Sequence, residues 1–217
     1  NYFFHFSGKN LVKNNHYFRD SLKIKTVQDF LFYLQLGWEH IISLDALDHQ
    51  LFLLVLMAVY NYQDFKKILI LITAFTLGHS ATLVLSSLEI VQIPSKWIEF
   101  LIPVTIFLTA LDNILFSKKQ NRLIRTNYFL ALFFGLIHGL GFANTVKIML
   151  AEEQNILFPL LGFNIGVEMG QIFLAAIFLL IFYLFTKIFK VSKRDWILFI
   201  SSGVFALALK MTLERIP

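Results

Sequence analysis

The chain has 217 residues, of which 57% are hydrophobic and 15% charged, with 25 phenylalanines; a water-soluble domain could not cover that apolar surface with so few charges. It has no cysteine, which excludes a disulfide framework, a thiolate metal site and a cysteine nucleophile. The formal net charge of +5 sits in short connectors beside apolar blocks rather than on one polar face, which argues against nucleic acid as a partner.

In chain order, residues 1–27 come first, opening on Asn1 rather than Met, as a processed chain or a fragment of a longer reading frame would. They carry Tyr2-Phe3-Phe4 and the bases Lys9, Lys13, Arg19, Lys23 and Lys25, with no apolar run long enough for a signal peptide. This is a juxtamembrane segment, suited to an anionic membrane surface or to a protein partner, and its aromatic and basic content favours the membrane.

Residues 28–217 form a transmembrane helical domain. The stretch 28–62 is apolar but interrupted by Glu39, His40, Asp45, Asp48 and His49. It can be one long span, a re-entrant pair, or two shorter spans that meet near 43–47. Beyond it, the blocks 68–88, 97–116, 128–150, 157–186 and 195–213 each hold enough residues to cross a hydrocarbon core of ~30 Å.

Charge sorting selects two spans in 28–62. The segments 1–27, 61–67, 117–126 and 187–195 then share one side and hold fifteen of the nineteen Lys and Arg residues; Lys96, Lys147, Lys210 and Arg215 remain on the other. The positive-inside rule puts the N-terminus in the cytoplasm and the C-terminus outside. The expected fold is all-α, a polytopic bundle of about seven spans in the lipid bilayer of a bacterial inner membrane.

Gly162, Gly166 and Gly170 recur at four-residue steps on the sixth span, and Gly135 and Gly139 on the fifth, as faces that let helices pack closely in lipid. There is no Gly-rich phosphate loop and no Ser-His-Asp order. Gly139-Leu140-Gly141 lies inside a span and carries no nucleotide signal.

Ionisable groups within a membrane are expensive and are kept for a partner, an ion or a proton path. This chain keeps His40, Asp45, Asp48 and His49 around the first helix pair, His79 on the third span, Asp112 on the fourth, His138 on the fifth and Glu168 on the sixth. At ~1.5 Å rise per residue, His79, His138 and Glu168 lie roughly 14, 18 and 17 Å from the outer boundary, one level near the midplane. They are expected to converge, with His40, Asp48 and His49 in a vestibule above them. Polar seams accompany them: Thr73, Thr76, His79 and Ser80 on the third span, Thr105, Thr109, Asp112 and Asn113 on the fourth, Asn164, Glu168 and Gln171 on the sixth.

Imidazole nitrogen with carboxylate oxygen suits nickel, cobalt or zinc, and the lack of Cys argues against copper(I). The buried histidines with their acidic neighbours are therefore candidates for holding such an ion. Thr76, Ser80, Asn164 and Gln171 are candidate orienters of the ligands. Asp112 and Asn113 are either packing groups or steps on an exit path.

At these residues the chain resembles the HupE/UreJ family of hydrogenase and urease accessory membrane proteins. The resemblance is carried by Gly37-Trp38-Glu39-His40-Ile41 with Leu47-Asp48-His49, by Phe75 to Leu83, by Phe134 to Ala143, and by Phe163 to Gln171. It implies a nickel or cobalt permease and carries over His40, Asp48, His49, His79, His138 and Glu168 as metal-handling positions. Two other classes stay open on the residues alone. One is a membrane-embedded metal-dependent hydrolase with Glu168 or Asp48 as general base. The other is a membrane subunit whose polar cluster only organises the bundle and whose role is to dock a partner.

Overall fold

The computed structural model describes residues 27–117, 124–150 and 156–217. The N-terminal basic segment before Val27 and the connector bases Lys118, Lys119 and Arg122 lie outside the described residues. Among the described residues, seven helices make up the bundle and no strand occurs. They are α1 (Val27–Ile42), α2 (Leu47–Met57), α3 (Phe65–Ser87), α4 (Ser95–Leu115), α5 (Ile124–Leu150), α6 (Leu157–Lys187) and α7 (Lys193–Glu214).

Local chemistry accounts for the boundaries. Asn61 and Asp64 form a reciprocal capping box before α3. Pro94 leads into α4, where its missing N–H costs nothing. Ser192 Oγ accepts from the Asp195 N–H at 3.1 Å to start α7. Counted with the turn that begins at Tyr62, α3 is long and apolar enough to cross a membrane, as are α4, α6 and α7; α1 and α2 meet that test only as a pair. The outer surface is apolar, with Leu77, Phe129, Leu157 and Phe199 more than half exposed, the pattern of a chain solvated by lipid.

The interruption in 28–62 falls where the sequence places it, as a 3₁₀ turn over Leu44–Ala46 between α1 and α2. The two helices do not fold back on each other; they meet at a bend of 59°. Both run along α6 in its own direction. Gly162 sits against Phe30 and Leu34, Gly166 against Leu34 and Trp38, and Gly170 against Trp38 and Ile41. Farther along, Leu54, Met57 and Tyr60 line one small cavity with Phe178 and Phe182. Tyr62 then meets Tyr183 edge-on at 5.7 Å.

A break inside a membrane frees backbone carbonyls that water cannot satisfy. Here Gln50 supplies the donor: its Nε2 reaches the carbonyl oxygens of Ile41, Ile42 and Ser43 at 3.1, 3.2 and 2.8 Å. Gln50→Leu keeps the bulk and removes the donor, so it is expected to lower stability by about 1–3 kcal/mol. Thermal unfolding in detergent reads this, and an unchanged midpoint would show that the break is held by something else.

The remaining helices close around α2. The α3–α5 pair approaches through Gly78, Gly135 and Gly139, where a Cβ would strike the facing backbone. Phe52 of α2 packs its ring against Phe75 of α3 at 5.1 Å and Phe134 of α5 at 5.7 Å. Asn113 of α4, 1% exposed, donates to the Val55 carbonyl at 2.7 Å and ties α4 to α2.

Candidate metal centre

The bend between α1 and α2 points the last turn of α1 and the first turn of α2 into the same space. His40 and His49 thereby come within 4.8 Å, ring centroid to centroid. His79 of α3 lies 6.1 Å from His40 and 5.9 Å from His49, and His138 of α5 lies 5.0 Å from His49. His40, His49 and His79 each offer a ring nitrogen, and these three atoms all lie within 4.8 Å of one another. His79 and His138 are fully buried and His49 is 6% exposed.

Hydrogen bonds set which nitrogens are available. Asp48 Oδ1 accepts from the His49 backbone N–H at 2.9 Å and stands 3.0 Å from His49 Nδ1. A carboxylate only accepts, so Nδ1 carries the proton and Nε2 keeps its lone pair. For His138, the Thr105 hydroxyl spends its proton on the Ile102 carbonyl at 2.7 Å. Thr105 Oγ1 therefore accepts from His138 Nε2 at 3.3 Å, leaving the lone pair on Nδ1.

The nitrogens left over are His40 Nε2, His49 Nε2, both ring nitrogens of His79 and His138 Nδ1, all buried and without a hydrogen-bond partner. Buried polar atoms are almost always paired, and each one left bare costs about 1–3 kcal/mol. One nitrogen from each of His40, His49 and His79 forms a donor set for a soft-to-borderline divalent cation, with the Asp48 carboxylate behind it and His138 beside it. Aromatic rings enclose the set: Phe142 stacks 4.1 Å from His40, Phe163 lies 5.6 Å from it, and Phe52 and Phe75 both lie 5.2 Å from His138.

Of the six residues singled out from sequence, the structure brings the four histidines and Asp48 together. Glu168 is engaged elsewhere, accepting from Thr73 Oγ1 at 2.6 Å across the α3–α6 contact. It is not among the clustered ligand atoms. Glu168→Gln keeps an oxygen for Thr73 and is expected to leave cobalt binding at the histidines within about threefold, near the noise of one lost weak contact. A loss of binding in a titration of that variant would return Glu168 to the site.

Three of the four candidate orienters, Thr76, Ser80 and Gln171, make their bonds away from the rings, while Asn164 stands beside His79. Thr76 meets Gln171 Oε1 at 2.9 Å, joining α3 to α6. Ser80 donates to the Thr76 carbonyl and Asn164 to the Leu160 carbonyl. Further orienting contacts on the histidines come from Asp48 and from Thr105, a seam residue not singled out. Gln50 and the aromatic walls gave no sequence signal, because their roles depend on where the bend places them.

A cavity of about 390 Å³ adjoins the cluster, lined by His40, Asp45, Asp48, His49 and His138 and also by Glu99 and Arg215. Neither a curated protein nor a solved structure matches the chain. The family model described as HupE / UreJ protein matches residues 15–215. With that match spanning nearly the whole sequence, and a histidine cluster at the centre of an apolar helical bundle, the chain belongs to the HupE/UreJ family.

Proposed function

We propose that the protein is a permease-type carrier of a divalent transition metal of the nickel or cobalt kind, seated in a bacterial inner membrane. The observation that carries this reading is the group of imidazole nitrogens from His40, His49 and His79 within 4.8 Å of one another, buried and unpaired in an apolar bundle. Such an arrangement costs stability unless something positively charged occupies it. Nitrogen donors with Asp48 behind them favour nickel, cobalt or zinc over magnesium or calcium. The hydrolase alternative is supported less well, because Asp48 is bonded to His49 and Glu168 to Thr73, and neither is left poised over the cluster as a base.

The test is metal analysis of the purified protein followed by a cobalt(II) titration. One high-affinity site per chain is expected, with d–d bands of a nitrogen-rich environment. Protons compete for the same lone pairs, so affinity is expected to fall on acidification. A protein that binds no cobalt, nickel or zinc above background sinks the proposal.

A further inference from the structure

The cavity beside the histidines has a sidedness that the helix order reveals. Because α1 and α2 both run in the direction of α6, they do not form a hairpin, and the bent pair reads as one broken span. Discontinuous helices of this kind are found where an ion site lies near the midplane. The helices α3 to α7 then alternate, so that the connectors after α2, α4 and α6 share one face. The start of α1, the connector between α3 and α4, and the end of α7 share the other.

Among the described residues, the bases at the helix ends and connectors divide seven to four: Lys66, Lys67, Arg125, Lys187, Lys190, Lys193 and Arg194 belong to the first face, against Lys96, Lys147, Lys210 and Arg215 on the second. The five bases of residues 1–26 lie outside the described residues. The rule is weighted toward short connectors between spans, which makes the first face cytoplasmic. On this reading the start of α1 lies outside, whereas the sequence, read with two spans in 28–62, puts the N-terminus in the cytoplasm.

The cavity belongs to the second face. Glu99 lies one turn inside the start of α4, and Arg215 follows the end of α7 and donates to the Glu99 carbonyl at 3.4 Å. Three carboxylates, Asp45, Asp48 and Glu99, line it against the single guanidinium. At its floor, His49 Nε2 and His138 Nδ1 are unpaired on side chains more than nine-tenths buried. Its volume of about 390 Å³ exceeds the roughly 180 Å³ taken by six waters at about 30 Å³ each.

We propose that this cavity is the extracytoplasmic vestibule through which a hydrated divalent cation reaches the histidines, with Asp45 and Glu99 capturing it and Arg215 as the counter-charge it displaces. The inference rests on the metal-carrier reading for its ligand and on the helix order with the placement of the bases for its side. The carboxylates concentrate the dication at the mouth, and water is shed as the imidazoles replace it. Arg215 opposes the approach by Coulomb repulsion until the ion takes its place.

The absence of cysteine makes sidedness directly measurable with single-cysteine variants. Asp45→Cys should react with a membrane-impermeant maleimide on intact cells, and Lys190→Cys only after permeabilisation; the opposite pattern at either position overturns the assignment. The capture role is read by stopped-flow cobalt(II) association with the full chain in detergent. Asp45→Asn with Glu99→Gln should slow association at least tenfold at low ionic strength and flatten its salt dependence. Arg215→Gln should accelerate it, a sign that general misfolding would not produce. Unchanged rates overturn the capture role. If the unaltered protein binds no cobalt, the metal reading and the capture role fall together, while the labelling still reports which face the cavity opens to.

Discussion

His49→Ala is expected to abolish cobalt binding, with affinity falling at least ~100-fold, the upper end of what disturbing a metal site's surroundings costs. His49 lies at the centre of the cluster, with His40, His79 and His138 all within 5.9 Å, centroid to centroid. It is also the residue through which Asp48 acts. Asp48→Asn should be milder, roughly tenfold, because the amide oxygen can still accept from Nδ1 without the carboxylate's charge. Stability should respond differently from affinity. Removing a ring with an unpaired buried nitrogen relieves a desolvation cost, which offsets part of the lost packing. Cobalt titration paired with thermal unfolding separates the two quantities. Retained binding in a destabilised His49→Ala protein would make the cluster structural.

Gly166→Leu is expected to be the most damaging single change to the bundle. A Cβ at Gly166 would meet the Leu34 carbonyl oxygen and lie 2.9 Å from both the Leu34 carbonyl carbon and the Trp38 nitrogen. These are backbone atoms that cannot rotate away, so α1 must move off α6. The cost should reach about 3 kcal/mol or more, the severe end of overpacking. Because α1 carries His40, the same displacement pulls that ring from His49 and His79, and metal affinity should fall with stability. Gly203→Ala is the contrast: nothing lies within 4 Å of its Cβ position, and the change should be neutral or stabilise α7 by up to ~1 kcal/mol. Equal unfolding midpoints for the two variants would contradict this account of the α1–α6 contact.

Much of the site was legible in the residues because membrane burial leaves few reasons to keep an ionisable group. His40, Asp48, His49, His79 and His138 were identifiable one by one from the apolar blocks around them, and the structure gathers all five. The glycine steps at 162, 166 and 170 likewise announced a close helix contact, and that contact is made with α1. Shared depth placed Glu168 level with the histidines, but depth is one coordinate of three. On α6, Glu168 turns toward Thr73, so equal height did not bring it to the rings.

Apolar block length and the 3.6-residue repeat are local properties, and they determined by themselves an all-helical membrane bundle, the break near residue 43, and the identities of the metal-handling candidates. The direction of the chain after that break was decided only by tertiary structure. Ser43-Leu44-Asp45-Ala46 suits a hairpin and a bend equally, since both need only a short non-helical turn with its carbonyls satisfied. What chose the 59° bend is long-range: the glycine face of α6 holding α1, and Phe178 and Phe182 lining a cavity with α2. Packing between residues more than a hundred positions apart leaves no trace in the local pattern, and here it sets the course of the first crossing.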